Sequence, residues 1–265
     1  MIIIRTIAVA FAQYSRIPVP RFEWKDEDMR YSMAVFPLIG VVIGILFYTV
    51  SLLCSRSAVP QTAEALLLAA VPVMLTGGFH IDGFMDTSDA LSSYRSREEK
   101  LEILKDPHIG AFAVIRLVLA GLVYLAALVI ILESERATDL IRISAAGFVL
   151  ARGLSALGVL CLRPAKENGM LRSESEAAQK SRKVNLSFSM IWIMISLAYM
   201  IMTDITGGCI AGAAGLFSFA WYRYKSYKEI GGITGDTAGW FVVVCEIAVT
   251  AAAALVAITV SLARQ

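Results

Sequence analysis

Apolar runs close to 20 residues long recur along this 265-residue chain and narrow its possible folds to one kind. A hydrocarbon core about 30 Å thick takes about 20 helical residues to cross, and lipid offers the backbone no hydrogen-bond partners. The runs are Met33–Cys54, Gln61–Phe79, Ala111–Leu132, Ile143–Leu162, Leu186–Met202, Ile205–Tyr222 and Thr237–Leu262. Only 17% of residues are charged and 57% are apolar, whereas soluble domains carry about 25% charged residues. The expected fold is an all-α, polytopic helical membrane bundle of about seven transmembrane helices, or six to eight if a short run re-enters. Residues 1–265 read as one domain without internal repeats.

Charge distribution predicts the topology. With loops assigned alternately, 18 of the 24 Lys and Arg residues fall in one set, namely the segment before residue 32 and residues 80–110, 163–185 and 223–236. Four fall in the other set, and Arg116 and Arg152 lie within spans. Basic loops stay in the cytoplasm, so the N-terminus and the basic set are expected there. Residues 1–14 read as an interfacial helix rather than a cleaved signal peptide, and the prolines at 18 and 20 stop it. Cys54, Cys161, Cys209 and Cys245 show no CxxC spacing, which argues against a zinc site or a disulfide framework. The net charge of +2 does not call for nucleic acid.

The stretch Gly77 to Leu91 concentrates the chemistry. Asp82, Asp86 and Asp89 stand at i, i+4 and i+7, within an arc of about 60° on a helix. Like charges on one stripe destabilise a helix. A divalent cation, a cluster of arginines or plain solvent would offset them. Oxygen-only donors suit Mg²⁺, Mn²⁺ or Ca²⁺ rather than zinc. Asp236, between glycines and the last span, reads either as a helix N-cap or as a further ligand brought in from a distant segment. Arg116 and Arg152 are costly at membrane depth and need partners. Glu246 is a protein partner for either, and a phosphate is the functional alternative. Lys105 and Arg163 are placed to meet an anionic substrate. His80 and His108 read as loop hydrogen-bonding groups. These residues together point to transfer of a phosphate-linked group from a cytosolic, nucleotide-activated donor. A transporter using Arg116, Arg152 and Glu246 is the non-enzyme alternative, although the acidic and basic groups gather on one side only.

Several blocks, in order, resemble the cobalamin synthase family of adenosylcobinamide-GDP ribazoletransferases. They are Phe11 to Pro20, Phe36-Pro37-Leu38-Ile39-Gly40, the Gly77–Leu91 aspartate stretch, Lys105-Asp106-Pro107-His108-Ile109-Gly110-Ala111-Phe112, and Gly231-Gly232-Ile233-Thr234-Gly235-Asp236. Two positions depart from the family's common pattern: Ile81 replaces an acidic residue, and Pro107 replaces serine. The resemblance implies a Mg²⁺-dependent inner-membrane transferase in late cobalamin biosynthesis, facing the cytoplasm. It would join adenosylcobinamide-GDP to α-ribazole or its 5′-phosphate and release GMP. Asp82, Asp86 and Asp89 would be the catalytic metal ligands, one of them, Asp89 by preference, taking the hydroxyl proton. Lys105, Asp106, Arg152, Arg163 and Asp236 would contact substrate. The implied partners are these small molecules and membrane lipid. A homo-oligomer or an association with other enzymes of the pathway is left open. A CDP-alcohol phosphotransferase also uses spaced aspartates at a membrane face, but its Asp-Gly-x-x-Ala-Arg element is not matched after Asp82-Gly83.

Overall fold

The computed structural model describes residues 2–20, 24–165, 176 and 178–262; part of the predicted basic loop, residues 166–175, lies outside the described residues. The described residues are helical apart from turns and one isolated bridge. The helices are α1 (Ile2–Tyr14), α2 (Asp26–Met29), α3 (Ser32–Arg56), α4 (Gln61–Thr76), α5 (Phe79–Ser92) and α6 (Arg97–Ile103). They continue as α7 (Ala111–Leu132), α8 (Ala137–Cys161), α9 (Arg182–Thr203), α10 (Ile205–Glu229) and α11 (Gly235–Leu262). Six of them, α3 and α7 to α11, are long and apolar enough to cross a membrane, and the bent pair α4–α5 makes a seventh candidate. The polytopic all-α expectation holds.

Two boundaries differ from the sequence reading in an informative way. The second span was expected to run to Phe79 and to bend, if anywhere, at Pro72. Instead α4 continues through Pro72 and ends at Thr76, and a 95° bend separates it from α5. The cause is the pair Gly77 and Gly78, both left-handed at φ 63° and 82°, a conformation glycine reaches without steric cost. The fourth span begins at Ala137 rather than Ile143, so most of the predicted loop 133–142 is helix.

α8 is the central helix, buried along almost its whole length. Lipid is as apolar as leucine, so burial of apolar surface does not drive helix association within the bilayer; close packing across small residues does. The sequence of α8 supplies that surface with Ser144, Ala145, Ala146, Gly147, Ala151, Gly153, Ala156 and Gly158. The partner α3 presents Gly40 and Gly44 one turn apart. A Cβ on Gly40 would lie 2.4 Å from the Phe148 carbonyl oxygen, and one on Gly44 would lie 2.8 Å from that of Ala145. Gly147 similarly faces Val249 of α11, and Gly153 faces Ile193 of α9. α7 and α9 sit outside, and Ile115, Val118, Leu122, Ile191, Met194 and Ile195 leave an exposed apolar surface suited to lipid.

One end of the bundle carries the connections of interest. The N-terminal segment is anchored there by the Arg5 guanidinium, which donates twice to Asp28 at 2.8 Å. That pairing and the Lys25 N–H hold the Asp28 carboxyl down at about 2, so the pair stays ionised at neutral pH. Arg16 N–H donates to the Leu75 carbonyl at 2.8 Å, docking the Arg16–Pro20 turn on the α4–α5 bend. α6 is tied to the end of α10 by Lys100–Glu229 at 2.6 Å. At the opposite end, Gln61 donates to the Leu132 carbonyl at 2.9 Å and Arg136 pairs with Asp204.

Gly40→Ala is expected to destabilise the protein by about 1–3 kcal/mol, the usual cost of overpacking, because its Cβ would meet backbone. Gly121→Ala, where a Cβ has nothing within 4 Å, is expected to be neutral or slightly stabilising. Thermal unfolding of the two variants in one detergent measures the contrast.

Candidate active site

The Gly77–Gly78 bend lays α5 across the end of the bundle, and this orientation displays the aspartates. On one face of the helix are Asp82, exposed, with Asp86 and Asp89, both half-buried. The other face, with Phe84, Thr87, Ser88 and Ala90, is buried. Gly83 lets α5 touch α11 directly. A Cβ there would stand 2.8 Å from the Asp236 carbonyl oxygen and 3.0 Å from its Cα. The charges of Asp82, Asp236 and Asp89 all act on Asp86, so two segments about 150 residues apart build one acidic cluster.

Asp236 is not the N-cap of α11. It lies in the first turn, and the Thr234 hydroxyl accepts the Thr237 N–H at 3.1 Å. With Thr234 capping the helix, the Asp236 carboxyl is not required for that purpose. Asp89 lies against Gly110, the N-cap of α7. A Cβ on Gly110 would fall 2.1 Å from one Asp89 carboxylate oxygen. The helix dipole favours an anion at that position, and this explains how the Lys105–Phe112 block reaches the aspartate stretch.

Among the described residues, Asp82, Asp86 and Asp89 form no ion pair. Among these residues, then, no ion-paired cation offsets the like charge. Among the same residues, no three of His, Cys, Asp and Glu close on a common point tightly enough to hold a metal by themselves. The donor chemistry fits a hard divalent cation.

The other residues singled out from sequence divide into two groups. Arg152 is fully buried and pairs with Glu246 at 2.7 Å, and it also donates to the Phe148 carbonyl at 3.0 Å. Among the described residues its Nε and Nη2 have no hydrogen-bond partner, and Arg116 has no ion pair. Lys105 is exposed and bonded to Glu102 at 2.6 Å. Asp106 accepts the His108 N–H at 3.0 Å and meets its ring at 2.6 Å, contacts that hold its carboxyl below the usual carboxylate range. Arg163 Nη2 donates to the Gly231 carbonyl at 3.0 Å, and its own backbone pairs with Ile233. The 163 and 231–236 blocks therefore meet at the same end as the aspartates. His80 is not a loop group: it is helical, buried against Phe36 and Phe79, and among the described residues its Nε2 is without a hydrogen-bond partner. Arg16, which was not selected from sequence as a site residue, crosses Gly77 beside the start of α5. Its only sequence signal was its position just before the helix-stopping prolines.

Fold and site together define a multi-pass helical membrane protein with a carboxylate cluster at one end, ringed by loops that carry basic residues. The model of the cobalamin-5-phosphate synthase family matches residues 6–254, and the chain belongs to that family. A relative from Lachnoclostridium phytofermentans is 39% identical over 92% of this chain and 91% of its own. Relatives from Clostridium perfringens strain SM101 and Pseudomonas putida strain GB-1 are 34% and 32% identical, over 91% and 94% of this chain and 94% and 97% of their own. All three carry the name adenosylcobinamide-GDP ribazoletransferase. No solved structure matches the chain.

Glu246→Gln is expected to cost about 3–5 kcal/mol, because it leaves the Arg152 charge buried and unpaired, whereas Arg152→Met with Glu246→Leu recovers most of that loss. Thermal unfolding of the single and double variants checks the sign of the difference.

Proposed function

We propose that this protein joins adenosylcobinamide-GDP to α-ribazole, or to α-ribazole 5′-phosphate, and releases GMP in late cobalamin biosynthesis. The match to the cobalamin-5-phosphate synthase family over residues 6–254, with the shared name of the relatives, carries this reading. The active end faces the cytoplasm, since it bears the Lys- and Arg-rich connections, and the membrane is the inner one.

A ribazole hydroxyl attacks the cobinamide-linked phosphorus. The new P–O bond forms as the bond to the GMP oxygen breaks, and the hydroxyl proton passes to a carboxylate. Asp89, beside the N-terminus of α7, is the candidate to accept that proton. Asp82, Asp86 and Asp236 are the candidates to hold Mg²⁺, which when bound neutralises charge on the diphosphate and on the departing GMP. Arg16, Lys105 and Arg163 stand around the same end to attract and orient the anionic donor. Asp106, tied to His108, keeps the Lys105 loop in shape.

GMP release by the purified protein in lipid vesicles tests the reading. Release from adenosylcobinamide-GDP and α-ribazole is expected with Mg²⁺ and is expected to cease with EDTA. Asp86→Asn is expected to lower turnover by about 10²–10⁴-fold without shifting the thermal midpoint downwards. Wild-type turnover in that variant would remove Asp86 from the site, and metal-independent release would remove Mg²⁺.

A further inference from the structure

A lateral groove of about 570 Å³ runs between α5, α7, α10 and α11, behind the aspartate helix. Its charged lining consists of two cations, Arg116 of α7 and Lys225 of α10. Arg116 lies inside a strongly apolar helix, and among the described residues it has neither an ion pair nor a hydrogen bond. A guanidinium at membrane depth ordinarily has a partner. Lys225 is little better compensated. It stands 3.8 Å from Glu229, but that carboxylate is engaged by Lys100 at 2.6 Å. The Lys225 ammonium instead lies 5.3 Å from the centre of the Trp221 ring.

Depth narrows the ligand class. Arg116 is five residues past the start of α7 and Lys225 four before the end of α10, so both lie about 6–8 Å below the same end of the bundle. That is headgroup depth, and Trp221 and Trp240 in the lining are the aromatic residues favoured at that level. Below the cations the groove turns apolar, with Leu119 and Val123 on α7 and Val244 and Ile247 on α11. Leu119 and Val123 are 51% and 52% exposed, so this wall opens sideways to the bilayer.

We propose that the groove binds one anionic phospholipid, with its phosphate between Arg116 and Lys225 and an acyl chain along Leu119, Val123, Val244 and Ile247. Arginine suits a phosphate through paired N–H donors. Ser88 and Ser92 of α5 also line the groove, and Ser88 belongs to the buried face of that helix, away from the aspartate stripe. The bound lipid therefore braces the aspartate helix from behind and links membrane composition to the geometry of the acidic end.

Native mass spectrometry of the full chain in detergent, titrated with phosphatidylglycerol or phosphatidylcholine, provides the test. One tightly held phosphatidylglycerol is expected, preferred over phosphatidylcholine by about thirtyfold, since each of the two cations near an anionic headgroup contributes about fivefold. Arg116→Gln with Lys225→Gln is expected to abolish the preference. Arg116→Lys is expected to keep most of it, and Arg56→Gln at the opposite end to keep all of it. Val123→Trp, which leaves both charges but fills the apolar part, is expected to weaken retention of either lipid. An unchanged preference in the double glutamine variant would overturn the proposal. So would displacement of the lipid by glycerol phosphate, which would mark a bare phosphate site, or by GDP, which would mark a nucleotide subsite. None of these readouts depends on turnover, so their failure is separable from failure of the transferase reading.

Discussion

The close backbone contact between α3 and α8 is the constraint on which the rest of the bundle depends. Gly40 and Gly44 bring α3 against the Phe148 and Ala145 carbonyls of α8, and the other faces of α8 take α9, α10 and α11 through residues almost as small. In hydrocarbon this contact cannot be replaced by a looser, greasier one, because lipid competes equally for any apolar surface. A central helix of small residues also leaves little room for error around Arg152, the one fully buried charge on α8. Arg152 is held by Glu246 from α11 and by the carbonyl one turn before it, which locks α8 to the helix that begins with Asp236.

The acidic cluster follows from this frame and from one bend. Gly77 and Gly78 turn the chain by 95° where a span would otherwise continue. α5 then crosses the bundle end instead of leaving it, and Gly83 allows it to rest on the first turn of α11. Asp82, Asp86 and Asp89 gain no ion-paired partner among the described residues in exchange for their mutual repulsion. Such a cluster is unfavourable in isolation, and under the proposed function a cation bound with an anionic diphosphate would offset that cost. That is the property a phosphoryl-transfer site requires. The groove behind α5 adds a second support, since it places two under-compensated cations at headgroup depth against the buried face of the same helix.

Much of this was legible from residue order. The span α7 was readable to the residue, because Gly110 and Glu133 bracket an apolar run broken only by Arg116. The stripe of Asp82, Asp86 and Asp89 needed only the helical period. A bend in this span was expected, if anywhere, at Pro72, because local rules mark proline as the breaker. Within α4, however, the helix accommodates Pro72, and the left-handed glycines after it make the turn. The N-cap role considered for Asp236 yielded to Thr234, a choice made by rotamer and packing that local sequence does not distinguish. His80 was read as a loop residue because helix α5 was not expected to begin at Phe79.

The sequence by itself determined the class of fold, the number of crossings within one, the gathering of basic loops at one end, and the family, because each depends on composition, period or ordered motifs along the chain. Only the tertiary structure decided which arginine is partnered. Glu246 was within reach of either Arg116 or Arg152 on paper, and the packing of α8 against α11 gave it to Arg152. It likewise decided that Asp236 joins the aspartate helix and that Asp89 meets the start of α7. The physical reason is the same in each case. These are contacts between segments distant in the chain, set by how closely backbones approach, and helical periodicity carries no information about distance between helices.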